Sequence, residues 1–171
     1  MACPKCIINP DSHSFTPFGT HQGSKLIFTS PARALDVKET EEKIMNIKKH
    51  LDTVKECSWI WVFDFGDMQM KHYSSLRYIL KLAEILNKEH DTSLKEIWVL
   101  RPNQWLQTML TISKGLINLK LLQKLTIFDG KTLDLYLNLQ KFGLQDKPLH
   151  WLGQVITMSP ETPLPSLHGL E

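Results

Sequence analysis

At 171 residues, with 42% hydrophobic and 22% charged residues, the chain is expected to fold as one globular domain with a sizeable core, which excludes intrinsic disorder. A formal net charge of +2 without a dense lysine and arginine cluster argues against nucleic acid as a partner, and no apolar run approaches the roughly 20 residues of a transmembrane helix. The amino terminus lacks the apolar segment of a secretion signal, and three cysteines, an odd count, argue against a disulfide framework, so a reducing, cytoplasmic location is expected.

Short apolar runs that end at turn residues indicate strands, and they recur at residues 26–28, 59–63, 97–100 and 125–128. The run WIWVF at 59–63 has large side chains without alternation, which is typical of a central parallel strand covered on both faces. Ahead of the first strand, residues 1–24 are interrupted by prolines and glycines and are predicted to form an irregular amino-terminal arm.

Amphipathic helical patterns follow each strand, at residues 36–54, 73–89, 103–117, 132–142 and 146–152. Asp36 and Glu39 have the spacing of a capping box, and Gly143 is expected to end its helix. The alternation of strand and helix predicts an α/β domain over residues 25–156, with a single, mostly parallel sheet and right-handed crossover helices. The proline-rich residues 157–171 are predicted to be a flexible tail.

The helix that begins after Arg101 and Pro102 has a wide apolar face. Asn103 is its expected N-cap, and two adjacent helical stripes merge on one side, namely Trp105, Leu106, Met109, Leu110, Ile112, Leu116 and Ile117. Such a face needs apolar cover over much of the helix circumference. Two interpretations stay open: a crossover helix buried on the sheet, or a movable lid over an apolar cavity.

The sequence contains no pattern expected of a catalytic centre, whether Gly-x-Ser-x-Gly, a glycine-rich phosphate loop or a paired-carboxylate signature. Asp64-Phe65-Gly66 matches the magnesium-binding tripeptide of protein kinases, but the other kinase motifs are missing. Asp64 is instead expected to cap the turn after its strand. We therefore expect a protein that is not an enzyme and needs no cofactor.

Cys3 and Cys6, with His13 and His21 downstream, are residue types that zinc prefers as ligands. Their spacing matches no common zinc module, and the segment that carries them is short and broken by prolines. No metal site is therefore expected, and zinc at these residues is the less favoured alternative.

The order of these features resembles the CRAL-TRIO lipid-binding family, in particular its divergent branch that includes the BCH domains. The resemblance covers roughly residues 25–153. It is carried by the strand and loop from Trp59 to Tyr73, by IWVL at 97–100 with Pro102 and Trp105 after it, and by the run from Lys114-Gly115-Leu116 through Lys120 and Lys124 to the strand LTIF. It implies a sheet and a gate helix that enclose an apolar pocket for one hydrophobic molecule, and it implies no catalysis.

The chain departs from the family pattern at three points. Gly115-Leu116 replaces the Pro-Phe of the gate turn, and the helical subdomain that usually precedes the lipid-binding lobe is expected to be missing, because the first predicted strand begins near Lys25. Family members that bind phosphatidylinositol use a glutamate and a lysine for the headgroup. Lys124 matches that lysine, whereas Thr92 stands in place of the glutamate.

The favoured hypothesis is a domain that binds a lipid or another small hydrophobic molecule. The residues expected to line the pocket or its gate are Trp61, Phe63, Trp98, Trp105, Met109, Ile112 and Leu116. Lys114 and Lys124 are expected to hold a polar headgroup, with transient contact to a membrane surface. The alternative is a BCH-like interaction scaffold that binds small GTPases or self-associates and fills the pocket with its own side chains.

Overall fold

The computed structural model describes Cys6 and residues 12–34 and 40–167. Its sheet has five strands in the order β1-β2-β3-β4-β5. Their bounds are Thr16–His21 for β1, Ser24–Thr29 for β2, Trp59–Asp64 for β3, Leu94–Leu100 for β4 and Leu125–Phe128 for β5. Strand β1 pairs antiparallel with β2, and every other pair is parallel. The predicted α/β class with a mostly parallel sheet is confirmed.

The helices of the described residues follow the predicted order. Their bounds are Thr40–Asp52 for α1, Leu76–Glu89 for α2, Gln104–Ser113 for α3, Leu119–Gln123 for α4, Thr132–Phe142 for α5 and Asp146–Thr157 for α6. Gly143 ends α5 in the left-handed conformation, as predicted. The proposed capping pair of Asp36 and Glu39 lies outside the described residues. None of these helices combines the length and apolar character needed to cross a bilayer.

The central strands bury both of their faces, each against a different layer of helices. In β3, Trp59 and Trp61 pack with α1 to α4, whereas Ile60 and Val62 pack with α5 and α6. Neighbouring parallel strands joined by right-handed crossovers place their connecting helices on one face, which agrees with α1 to α4 sharing a layer. The unalternating run at 59–63 is thus explained by a sheet with helices on both sides.

The prediction of an irregular arm over residues 1–24 is wrong for Thr16–His21, which forms β1. Pro17 and Gly19, read as strand breakers, flank an irregularity in the pairing of β1 with β2. Proline is tolerated here because β1 is an edge strand, and no further strand lies on its outer side that would need a hydrogen bond from a backbone N–H. Between them, Phe18 is fully buried and stacks on Trp151 at a ring-centroid distance of 4.9 Å.

The prediction of a flexible tail over residues 157–171 is wrong for residues 158–167, which dock against the domain. The indole N–H of Trp151 donates to the carbonyl of Pro165 at 3.1 Å. The guanidinium of Arg33 donates to the carbonyls of Ser159 and Thr162 at 3.2 and 2.7 Å. Prolines prevent this segment from forming a helix, but its carbonyls remain available as acceptors for these buried or partly buried donors.

Candidate ligand-binding cavity

A cavity of about 250 Å³ lies between β3 and the helices α1 to α3. Trp61 and Phe63 of β3, with Phe65 just after the strand, form its floor. Trp105 and Met109 of α3 cover it from above. The helix with the wide apolar face is therefore the roof of this space.

The floor and the roof form a nearly continuous aromatic wall. Ring centroids are 4.5 Å apart between Trp61 and Phe63, 5.7 Å between Phe63 and Phe65, and 6.2 Å between Phe65 and Trp105. The indole N–H of Trp61 donates to the hydroxyl of Thr29 at 2.8 Å, so its polar atom is satisfied within the protein. The wall thus offers mainly apolar surface to the cavity.

The α3 helix does not use its apolar face fully for packing. Leu106 is the one apolar side chain of α3 that is buried, whereas Trp105, Met109 and Leu110 are partly buried, and all four line the cavity. A crossover helix pressed onto the sheet would bury all of these residues. This geometry agrees better with the cover of an apolar space than with a plain core helix.

Two hydrogen-bond donors lie in the walls. Asn46 of α1 is 7% exposed, and its side-chain nitrogen has no acceptor among the described residues. Burial raises the pKa of Tyr78 in α2 to about 12, so its hydroxyl keeps its proton at neutral pH. An unsatisfied buried donor costs about 1–3 kcal/mol, a cost that an acceptor on a bound molecule would remove.

Two lysines accompany these donors. Lys43 and Lys71 line the cavity together with the imidazoles of His13 and His72, and no acidic side chain does so among the described residues. Neither Lys43 nor Lys71 has an ion-pair partner in the described part of the chain. The walls are therefore electrostatically suited to a negatively charged group.

The predicted pocket residues divide into two groups. Trp61, Phe63, Trp105 and Met109 line the cavity. Ile112 and Leu116 do not, since their side chains are 47% and 61% exposed. Trp98 lies on the opposite face of the sheet, where its ring packs edge-on against Phe128. Assignment of these last three residues to the pocket is therefore wrong.

The two predicted headgroup lysines lie away from the cavity. The ammonium group of Lys124 donates to the carbonyls of Asp91 and Leu94 at 2.5 and 2.7 Å, and its burial lowers the pKa. Lys114 is exposed at the end of α3. Their placement at the pocket is wrong. Sequence analysis missed Lys43, although its spacing of four residues from Ile47 in an amphipathic helix places both on one side of α1.

A buried ion pair supports the end of the cavity next to α3. Asp64 is 2% exposed and accepts from Nε and Nη2 of Arg101 at 2.8 and 2.5 Å. It also accepts from the N–H of Gly66 at 3.0 Å, which confirms its predicted role in the turn. Asn103, two residues after Arg101, caps α3 by accepting from the N–H of Leu106. The pair thus connects the ends of two strands to the start of the roof helix.

Comparison with known proteins identifies the family. The model of the CRAL/TRIO domain matches residues 7–147, most of the chain. A Rho GTPase-activating protein, gacY, of Dictyostelium discoideum is 25% identical over 99 residues. That alignment covers 58% of this chain but 13% of the relative, so the chain corresponds to only a small part of that protein. With its parallel sheet and its match over residues 7–147, the chain belongs to the CRAL/TRIO domain family.

Proposed function

We propose that this chain is a non-catalytic domain that holds one small amphipathic molecule under α3, with the hydrocarbon part inside and an anionic group near Lys43 and Lys71. The observation that carries the proposal is one cavity that combines an aromatic, apolar wall with Lys43 and Lys71, which have no ion-pair partner among the described residues. The side-chain nitrogen of Asn46, which has no acceptor there, lies in the same cavity. Membership of a family known for lipid binding supports it. A carboxylate or a phosphate would both suit the polar end.

The size of the cavity restricts the ligand. An engineered cavity of roughly 150 Å³ holds benzene, so about 250 Å³ corresponds to roughly ten carbon atoms. Burial of ten methylenes contributes about 8 kcal/mol, which the cost of about 4–15 kcal/mol for lost translation and rotation largely offsets. The charged end must therefore contribute to affinity. A single short chain fits the cavity in this state, whereas a phospholipid with two acyl chains does not.

Filling the cavity should prevent binding. We expect wild-type protein to bind one decanoate molecule, and Met109→Trp to weaken its affinity about tenfold or more, because the larger indole occupies the space under α3. The matched control is Ile112→Trp, three residues further along the same helix and 47% exposed. Isothermal titration calorimetry measures both affinities. Absence of binding to wild type, or equal affinity in all three proteins, would show that the cavity is not the site.

Charge reversal should separate the polar end from the apolar end. The double variant Lys43→Glu, Lys71→Glu is expected to weaken decanoate binding about tenfold or more, since charge-assisted hydrogen bonds contribute about 1.5–3 kcal/mol each. Binding of neutral 1-decanol should stay unchanged. The control variant Lys114→Glu, Lys120→Glu alters lysines outside the cavity and should match wild type. An equal loss in the two double variants would argue for a general charge effect instead.

A second function, protein binding, is favoured by the similarity to a Rho GTPase-activating protein. We propose a Rho-family GTPase as the partner and the exposed side of α5 as the contact, because Leu133 and Leu137, four residues apart on this helix, are 68% and 39% exposed. Biolayer interferometry with GDP- and GTP-loaded Rho measures this. Leu133→Glu should abolish binding while Met109→Trp retains it. Failure of both Rho forms to bind wild type would exclude this function.

A further inference from the structure

Three metal-ligating side chains from separate parts of the chain converge beside the cavity. The sulfur of Cys6 lies 3.2 Å from Nδ1 of His13 and 3.3 Å from Nε2 of His50, and the two nitrogens are 2.8 Å apart. All three residues are partly buried. In tetrahedral zinc sites two nitrogens lie roughly 3.3 Å apart, and a sulfur and a nitrogen roughly 3.6 Å. The observed triangle is only slightly smaller than three ligands of one ion would form.

The surrounding structure holds the two imidazoles in place. His50 lies in the last turn of α1, and His13 shortly precedes β1. Their rings meet edge-on at a centroid distance of 5.0 Å, and Phe15 packs against His50 at 5.4 Å. These contacts fix the orientation of both rings, so that Nδ1 of His13 and Nε2 of His50 face the sulfur of Cys6.

We propose that Cys6, His13 and His50 bind one zinc ion, as a thiolate and two neutral imidazoles. One thiolate with two imidazoles suits zinc rather than magnesium or calcium, which prefer oxygen ligands. The ion would tie the segment before β1 to the end of α1. Because His13 also lines the cavity, the ion would fix one part of the cavity wall.

This set differs from the alternative that the sequence suggested. His21 packs against Trp98, at a centroid distance of 5.3 Å, on the opposite face of the sheet and cannot join it. His50 takes its place from 37 residues beyond His13, a separation that no local motif reveals. Cys3 lies outside the described residues, and the proposal does not depend on it.

Cobalt titration of the full chain without a histidine tag tests the site. We expect reduced, metal-free protein to bind one Co²⁺, with a thiolate-to-cobalt charge-transfer band and the visible bands of tetrahedral cobalt, and Zn²⁺ to displace it. Cys6→Ser should remove the charge-transfer band, and His50→Gln should weaken cobalt binding about tenfold or more. The controls Cys57→Ser, another partly buried cysteine, and His150→Gln, an exposed histidine, should behave as wild type.

Thermal unfolding gives a second measurement in case the His50 variant folds poorly. Zn²⁺ should raise the melting temperature of wild type and of Met109→Trp, but not that of Cys6→Ser, because an ion that binds only the folded state stabilises it. Because Met109→Trp fills the ligand cavity but leaves the three metal ligands in place, stabilisation of this variant by Zn²⁺ would show that the metal site does not depend on ligand binding in the cavity. Wild type that shows no tetrahedral cobalt bands, or Cys6→Ser that keeps the charge-transfer band, would overturn the proposal.

Discussion

Arg101→Ala is expected to lower the free energy of unfolding by about 3–5 kcal/mol, because it leaves a buried carboxylate without its partner. Asp64 is 2% exposed, and two of its hydrogen bonds come from the guanidinium of Arg101. Gly66 explains why the guanidinium fits: a Cβ there would lie 2.0 Å from its Cζ. Urea unfolding followed by tryptophan fluorescence measures the loss.

The matched control is Arg77→Ala, which breaks the ion pair between Arg77 and Glu41. The side chain of Arg77 is 70% exposed and that of Glu41 is 60% exposed. Exposed pairs contribute at most about 1 kcal/mol, so this variant should remain close to wild type. A loss for Arg101→Ala as small as that of the control would mean that water reaches Asp64 and that the pair does not support the roof helix.

Trp98→Ala is expected to lower the free energy of unfolding by about 3–5 kcal/mol while leaving decanoate binding unchanged, because Trp98 is fully buried on the face opposite the cavity. Trp61→Ala should cost as much or more, since Trp61 is also fully buried and its loss leaves Thr29 without the indole donor. Unlike Trp98→Ala, it enlarges the cavity and should change the affinity for decanoate.

To compare Trp98→Ala with Trp61→Ala, both the free energy of unfolding and the affinity for decanoate must be measured. Urea unfolding gives the first, and calorimetric titration at low temperature, where both variants stay folded, gives the second. A change in decanoate affinity for Trp98→Ala as large as that for Trp61→Ala would contradict the placement of the ligand on one face of the sheet.

Strands β2, β3 and β4 could be predicted because burial on both faces leaves an apolar run that can be recognised without tertiary information. The edge strand β5 is less buried, but its four residues are also a short apolar run that ends at a turn. The same property hides which face each residue occupies. The register places Val62 opposite Trp98 and Trp61 opposite Ile97, with an irregularity at the start of the ladder. Because a shift of the strand pairing by one residue moves every side chain to the other face of the sheet, the sequence of β4 alone could not show which face Trp98 occupies.

The roof helix was predicted with the right start and the wrong end. Asn103 caps it as expected, but α3 stops at Ser113, so Leu116 lies beyond the helix and outside the cavity. Ile112 is within α3 but on its exposed side. Asn118 caps the next helix by accepting from the N–H of Lys120, which divides the apolar stretch in two. Gly115, with Asn118 three residues later, is a pattern typical of one helix ending and another beginning. The cavity cations Lys43 and Lys71 come from distant elements, and only the folded chain brings them together.

The matched region stops at residue 147, whereas α6 has only just begun there. Four of its later residues, Trp151, Leu152, Val155 and Ile156, are 3% exposed or less and cover the sheet on the side away from α3. At Gly19, where φ is +135°, a Cβ would lie 2.7 Å from the ring of Pro148. The backbone of β1 therefore packs directly against the proline ring at the start of α6. The cooperative folding unit is therefore longer than the region of family similarity, and truncation at residue 147 would remove α6, one of the two helices that cover this face of the sheet.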